Sequence, residues 1–191
     1  MKKVAIVYHS GFGHTEVQAK HVQKGAQEIA NTTADLFEVA SVKDNPEKLN
    51  DYDAIIFGSP TYMGSASGPF KEFMDATSKV WFTQGWKNKL AAGFTNSGSM
   101  SGDKFNTLVQ FVTLASQHGM LWVSLGEMNE SAAEDRPSGD PTAINRIGSY
   151  LGAMAQSDNL PADQTPPAGD LLTAERLGKR VAESVVRWKN A

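Results

Sequence analysis

Residues 2–20, KKVAIVYHSGFGHTEVQAK, carry the pattern on which the fold turns. A short, almost unbroken apolar run from Val4 to Tyr8 gives way to glycines and hydroxyl residues, then to a helix-like stretch. A continuous apolar run of that kind suits a strand of a parallel sheet covered on both faces. Over residues 14–31, Ala19, Val22, Ala26 and Ile29 recur at helical spacing. Strand, tight small-residue turn and helix together make the first half of a βαβ unit.

The alternation continues along the chain. ADLFEV, YDAIIFGSP, KLAAGFTNSG and GMLWVSLG read as four further strands. Pro69 suits a first helical position, with Phe70, Phe73, Met74 and Thr77 on one face. Ser101 or Asp103 can cap a helix bearing Phe105, Leu108, Val109, Val112 and Ala115, which Gly119 would stop. A last helix is expected from about Asp170 to Lys189, turning Ala174, Leu177, Val181, Val185 and Trp188 inward. The pattern predicts an α/β fold, a three-layer doubly wound sandwich around a five-stranded parallel sheet in the order 2-1-3-4-5. At 191 residues the chain is expected to form one domain over 1–191. Residues 126–169, rich in Gly, Pro, Ser and acids, interrupt the rhythm as a lid, an interface element or a solvated excursion. AINRIGSYLGAMAQ, in that segment, has the apolar character for a partial helix.

Net charge is −3 with Lys and Arg scattered, so a basic footprint for nucleic acid or an anionic membrane is missing. Cysteine is absent, which removes thiolate nucleophiles, zinc–thiolate sites and redox dithiols, so redox chemistry must come from a bound cofactor. The N-terminal apolar run is short for a signal peptide, and no run approaches the ~18 apolar residues of a membrane span. The expectation is a soluble, cytoplasmic protein. His14 and His21 could share a helical face, but without a carboxylate they make a poor metal site and read as surface histidines.

Open α/β sheets bind ligands beyond the carboxyl ends of their strands, where the strand order reverses. The loop Ser10, Gly11, Phe12, Gly13, His14, Thr15 lies there. Its glycines let amides point inward, the next helix adds its positive end, and Ser10 and Thr15 offer hydroxyls: a nest for a phosphate dianion. A Walker loop needs Gly-Lys-Ser/Thr, whereas His14-Thr15 follow Gly13. The dinucleotide fingerprint wants a small residue where Glu16 stands, and a phospho-acceptor would need acids where His9-Ser10 and Gly58-Ser59-Pro60 stand. A terminal phosphate monoester remains. GSPTYMGSASG and TNSGSMSGD follow the third and fourth strands at the same edge, and Tyr62 and Met63 can flank an aromatic ring system. Each loop alone could be a plain turn; three on one edge point to a ligand site.

These stretches resemble the FMN-binding loops of the flavodoxin superfamily, and more closely the WrbA-type NAD(P)H:quinone oxidoreductases. The likeness rests on HSGFGHTE, YDAIIFGSPTYMG, KLAAGFTNSGSMSG and LASQHGM. It implies a flavodoxin-like fold and FMN as cofactor. Ser10, Gly11, Phe12, Gly13, His14 and Thr15 would hold the phosphate. Pro60, Thr61, Tyr62, Met63 and Gly64 would border the ribityl chain and ring. Asn96, Ser97, Gly98, Ser99, Met100 and Ser101 would bind the pyrimidine side. His118 matches a histidine near the flavin, often contributed at a subunit interface, and Trp81 an aromatic that walls the substrate side. His118 equally suits a cationic helix cap, and Trp81, at helical spacing from Phe70 to Thr77, equally suits the core. Trp86 and Trp122 suit core or interface. The implied activity is a ping-pong transfer of two electrons from NAD(P)H to a quinone, in a homo-oligomer of two or four subunits. A flavodoxin-type electron carrier or an FMN-binding regulatory module are the alternatives.

Overall fold

The structure is a computed structural model and describes residues 1–136 and 139–188. In chain order it runs β1 (Lys2–Tyr8), α1 (His14–Gln27), β2 (Thr32–Glu38), β3 (Ala54–Tyr62), β4 (Ser65–Ala66), α2 (Gly68–Ala76), α3 (Ser78–Phe82), β5 (Leu90–Ser97), α4 (Lys104–Gln117), β6 (Leu121–Trp122), β7 (Ala153–Gln156) and α5 (Ala168–Trp188). Between β2 and β3 the chain makes only two 3-10 turns, Val39–Ser41 and Pro46–Asp51. The sheet order is β2-β1-β3-β5-β6, parallel throughout, with β4 antiparallel to β3 and β7 parallel to β5. The expected doubly wound α/β fold and its reversal of strand order at β1 and β3 are present.

Successive residues of the central strands feed opposite layers, as a two-residue side-chain period requires. Val4, Ile6 and Tyr8 pack with α1 and α5, through Ala19, Val22, Leu177 and Val181. Ala5 and Val7 pack with α2, α3 and α4, through Phe70, Phe73, Val80, Leu108 and Phe111.

The fifth strand position is divided, which corrects the expectation of one strand over GMLWVSLG. β6 pairs only Leu121 and Trp122 with Leu90 and Ala91. β7 then pairs Ala153–Gln156 with Phe94–Ser97. AINRIGSYLGAMAQ is therefore turns and a strand rather than a partial helix. Gly148 turns the chain left-handed at φ 74, and a side chain at Gly152 would run into the Gly93 carbonyl. After it, Ala153 and Met154 alternate between the two cores, a strand period.

Two helix faces also differ from expectation. α4 buries Lys104, Thr107, Leu108, Phe111, Leu114 and Ala115, leaving Phe105 and Val109 exposed. The rotation is set by Phe111, whose ring packs on Phe70 and Phe57 at 4.9 and 6.0 Å. On α5, Val185 is the last buried residue; Trp188, one turn on, is exposed, and Lys189 lies outside the described residues. Among the described residues no helix is long and apolar enough to cross a membrane.

Candidate functional site

The carboxyl ends of β1, β3, β5 and β7 open onto one edge of the sheet. After β1 the chain turns left-handed at Gly13 (φ 89), the N-cap of α1, which has no side chain to offer the first helical amides. Of these, the His14 and Thr15 amides are left to an anion, as at other helix N-termini. The Ser10 hydroxyl accepts from the Glu16 amide (3.2 Å), curling the loop back over the helix start. Thr15 is buried, and its hydroxyl accepts from Asn96 Nδ2 of β5 at 3.0 Å. Ser157 donates in turn to Asn96 Oδ1 at 3.4 Å. One hydrogen-bonded chain thus ties together the loops that follow β1, β5 and β7.

After β3 the chain folds back through the tight hairpin Tyr62-Met63-Gly64-Ser65, with Tyr62 paired to Ser65. Met63 and Gly64 both have positive φ, the requirement of a two-residue turn that matches strand twist. Met63 points fully into solvent, and Asn106 of α4 holds the turn through the Gly64 carbonyl at 2.6 Å. Beneath it, the hydroxyls of Thr61, Thr95 and Thr107 meet at 2.7–2.8 Å. Pro60 lies within β3 and is buried, while the Tyr62 phenol lies against Gly11 and its ring edge meets Phe12 at 6.3 Å.

A cavity of about 490 Å³ opens between these loops, lined by Phe12, His14, Thr61, Tyr62, Asn96, Ser97, Gly98 and the stretch Ser157–Pro161. That volume falls inside the ~300–1,000 Å³ range of small-molecule sites. Seven predicted residues line it; Ser10, Gly11, Gly13 and Thr15 form the turn that bears Phe12 and His14. The wall at Ser157–Pro161 was not anticipated. His14 Nε2 donates to the Leu160 carbonyl at 2.8 Å, closing that wall against the first loop. SDNLP after a strand is the same small, polar signature as the other loops, obscured by its place in the irregular 126–169 segment. Charge-neutral hydroxyls, amides and aromatic faces fit a flavin mononucleotide.

A family model described as NADPH-dependent FMN reductase matches residues 16–135. The chain belongs to this FMN reductase family. It is 42% identical over 186 residues to the flavodoxin FldP of Pseudomonas aeruginosa, covering 95% of this chain and 96% of that one. It is 32% identical to an NAD(P)H dehydrogenase (quinone) of Archaeoglobus fulgidus, over 96% and 97% of the two chains. A crystal structure of a WrbA-like flavodoxin from Agrobacterium tumefaciens superposes with a TM-score of 0.74 at 40% identity, over 98% and 99%. The resemblance and the FMN cofactor expected from the sequence are borne out.

The Asn96–Ser101 loop, expected on the pyrimidine side, is only partly at the cavity of this FMN reductase family member. Ser97 and Gly98 line it. Ser99 presents its carbonyl to the buried Lys104 amine, and Met100, half-exposed, lies against Arg146 and Gly139. Ser101 starts the turn into α4 through its carbonyl. Lys104, Arg146 and Asp170, none of them singled out from the sequence, stand behind this loop.

His118 and Trp81 lie elsewhere. They share a second cavity of about 460 Å³ with Lys71, Met74, Thr77 and Val109, between α2, α3 and α4. Trp81 is half-exposed, so it is not a core residue. His118 occupies the C-cap of α4, but through its backbone amide; its ring turns to Thr77 and not to the helix carbonyls. Thr77 spends its hydroxyl proton on the Met74 carbonyl, so His118 must donate from Nε2 to Thr77 Oγ1 (2.9 Å). Its Nδ1 finds no partner among the described residues, and Trp86 covers the ring at 4.4 Å. Burial pushes its pKa from 6.5 down to about 4. Below pH 6.5 the unfolded chain then binds a proton that the folded chain refuses, so this stability is present above 6.5 and lost as pH falls towards 4. The loss reaches up to about 3 kcal/mol. His118→Asn, which keeps a donor for Thr77, is expected to remove that part of the acid loss. Urea unfolding of both proteins at pH 7 and 4.5 checks it; an equal acid loss in both rejects the assignment.

Proposed function

We propose that this chain is an FMN-dependent oxidoreductase that passes two electrons from NAD(P)H to a quinone or similar acceptor by a ping-pong cycle. The observation that carries the reading is the cavity itself: its walls are small, hydroxylated and neutral except for Asp158, and its rim is the exposed Phe12, Tyr62 and Leu160. Such walls offer neither thiol nor nucleophile–base pair, so the chemistry is the cofactor's and the protein binds and orients. Bound FMN supplies the ring that accepts a hydride and gives up two electrons. Ser10–Thr15 hold the phosphate through amides and hydroxyls. Thr61 and Tyr62 border the ring on one side, and Asn96–Gly98 with Ser157–Pro161 on the other. The aromatic and apolar rim leaves room for a flat nicotinamide or quinone. Trp81, half-exposed and remote from this cavity on its own chain, would meet the flavin of a neighbouring copy in a homo-oligomer, with the buried His118 behind it. The relative named as an NAD(P)H dehydrogenase (quinone), alike over the whole chain, supports the reading.

The flavodoxin name of the 42% identical relative supports a second reading, a one-electron carrier. Anaerobic addition of NADH or NADPH to the yellow protein, followed by a benzoquinone, separates the two. Rapid bleaching and rapid recovery of colour are expected. A flavin that bleaches with dithionite but not with either nicotinamide would establish the carrier.

A further inference from the structure

Lys104 is fully buried at the first position of α4. Both placements work against it: burial strips an ammonium of water, and a helix N-terminus repels a cation. Its hydrogen bonds go to neutral oxygens, the Ser99 carbonyl at 2.6 Å and the Ser97 hydroxyl at 2.9 Å. Nearby, Arg146 grips Asp170 with Nε and Nη2 at 2.8 and 3.0 Å, and the Gln156 amide donates to the same carboxylate at 2.8 Å. All three charged side chains are nearly or wholly buried. Two cations and one carboxylate leave one net positive charge behind the Ser97–Ser101 loop, in a chain whose own balance is −3. Burial lowers the Lys104 pKa to about 8; Asp170 pushes it back up and Arg146 pushes it further down. At neutral pH the ammonium stays charged.

We propose that Lys104 is a positioning and tuning residue of the flavin site: it fixes the Ser97–Ser99 backbone and sets an uncancelled positive charge behind the wall that borders the pyrimidine end of the ring. The inference rests on the FMN reading above. Taking up two electrons and one proton, the content of a hydride from NAD(P)H, leaves the ring one unit more negative. A buried cation behind that end therefore favours the reduced ring over the oxidised one and raises the two-electron potential. The cavity wall itself supplies the opposite sign, at Asp158. A raised potential suits collection of electron pairs from a nicotinamide and opposes service as a low-potential single-electron donor.

The test uses FMN-loaded protein and dithionite, so it does not depend on enzyme activity. Dissociation constants for oxidised FMN come from fluorescence titration, and midpoint potentials from reductive titration against a reference dye. Lys104→Met, of similar length but uncharged, is expected to weaken binding of reduced FMN at least tenfold more than that of oxidised FMN. For a two-electron couple that is a drop of about 30 mV. Lys104→Gln, which keeps a donor for the Ser99 carbonyl, shows the same drop and covers the case in which the methionine variant does not fold. Lys104→Arg holds the wild-type potential. Equal weakening of both forms in the neutral variants, or a folded Lys104→Arg whose potential falls with theirs, overturns the proposal and leaves Lys104 a structural residue. Wild-type protein that takes up no FMN would instead sink the cofactor reading itself, before any variant is compared.

Discussion

Thr15→Glu is expected to purify colourless and to bind flavin mononucleotide at least a thousandfold more weakly than the wild type. Thr15 is buried at the first turn of α1, its hydroxyl held by Asn96 at 3.0 Å. The proposed phosphate nest contains no Lys or Arg: residues 9–15 read HSGFGHT, so amides and hydroxyls would balance the dianion. A carboxylate in that position takes up the positive end of the helix and faces the phosphate with a like charge. An uncompensated buried charge costs about 3–5 kcal/mol, and about 4 kcal/mol is a thousandfold in affinity. Thr15→Val, which loses only the hydroxyl, should weaken binding by about fivefold, near 1 kcal/mol for one neutral hydrogen bond. Thr15→Ser should bind normally. Absorbance at the flavin band after reconstitution and a fluorescence titration measure all three, with circular dichroism to confirm folding. Near-normal flavin content in folded Thr15→Glu would refute the phosphate assignment.

The parts of this molecule legible in the sequence are those set by contacts close along the chain. β1, the Gly13 turn and α1 follow from one run of residues, because strand burial, a left-handed turn and a helical face each leave a local period. What depended on distant partners was misread. The rotation of α4 is fixed by Phe111 against Phe57 and Phe70, and a helix with Phe105 and Val109 as well has apolar residues enough for either face. The division of the fifth strand position between β6 and β7 leaves a short strand, Ala153–Gln156, far along the chain from Leu121–Trp122 and too brief for its two-residue period to stand out. The same interruption concealed Ser157–Pro161 as a wall of the cavity. Residues 104, 146 and 170 come together only through the fold, and no spacing in the sequence announces a three-member charge cluster. His118 and Trp81, carried over by resemblance, share a cavity with each other and not with the flavin loops, since both lie on the α2–α4 layer rather than at the strand ends.

Asp170→Ala is expected to destabilise the fold by about 3–5 kcal/mol, the cost of removing one member of a buried ion pair and leaving the other unmatched. The carboxylate is almost wholly inaccessible and accepts from Arg146 twice and from the Gln156 amide once. Without it, Arg146 and Lys104 remain as two buried cations with nothing between them, and β7 loses the acceptor that fixes its last residue. The disturbance reaches the cavity wall directly, because the Gln156 side chain donates to the Gly98 carbonyl at 3.2 Å and accepts from Arg146 Nη2 at 3.3 Å. The double variant Asp170→Ala with Arg146→Met should recover a substantial part of the lost stability, since a buried charge pair is costly chiefly when it is broken on one side only. Urea unfolding of the two single variants and the double variant gives the coupling energy. Strictly additive losses would mean that Arg146 and Asp170 are held by their surroundings and not by each other, and Lys104 would then sit beside two independent charges instead of a neutralised pair.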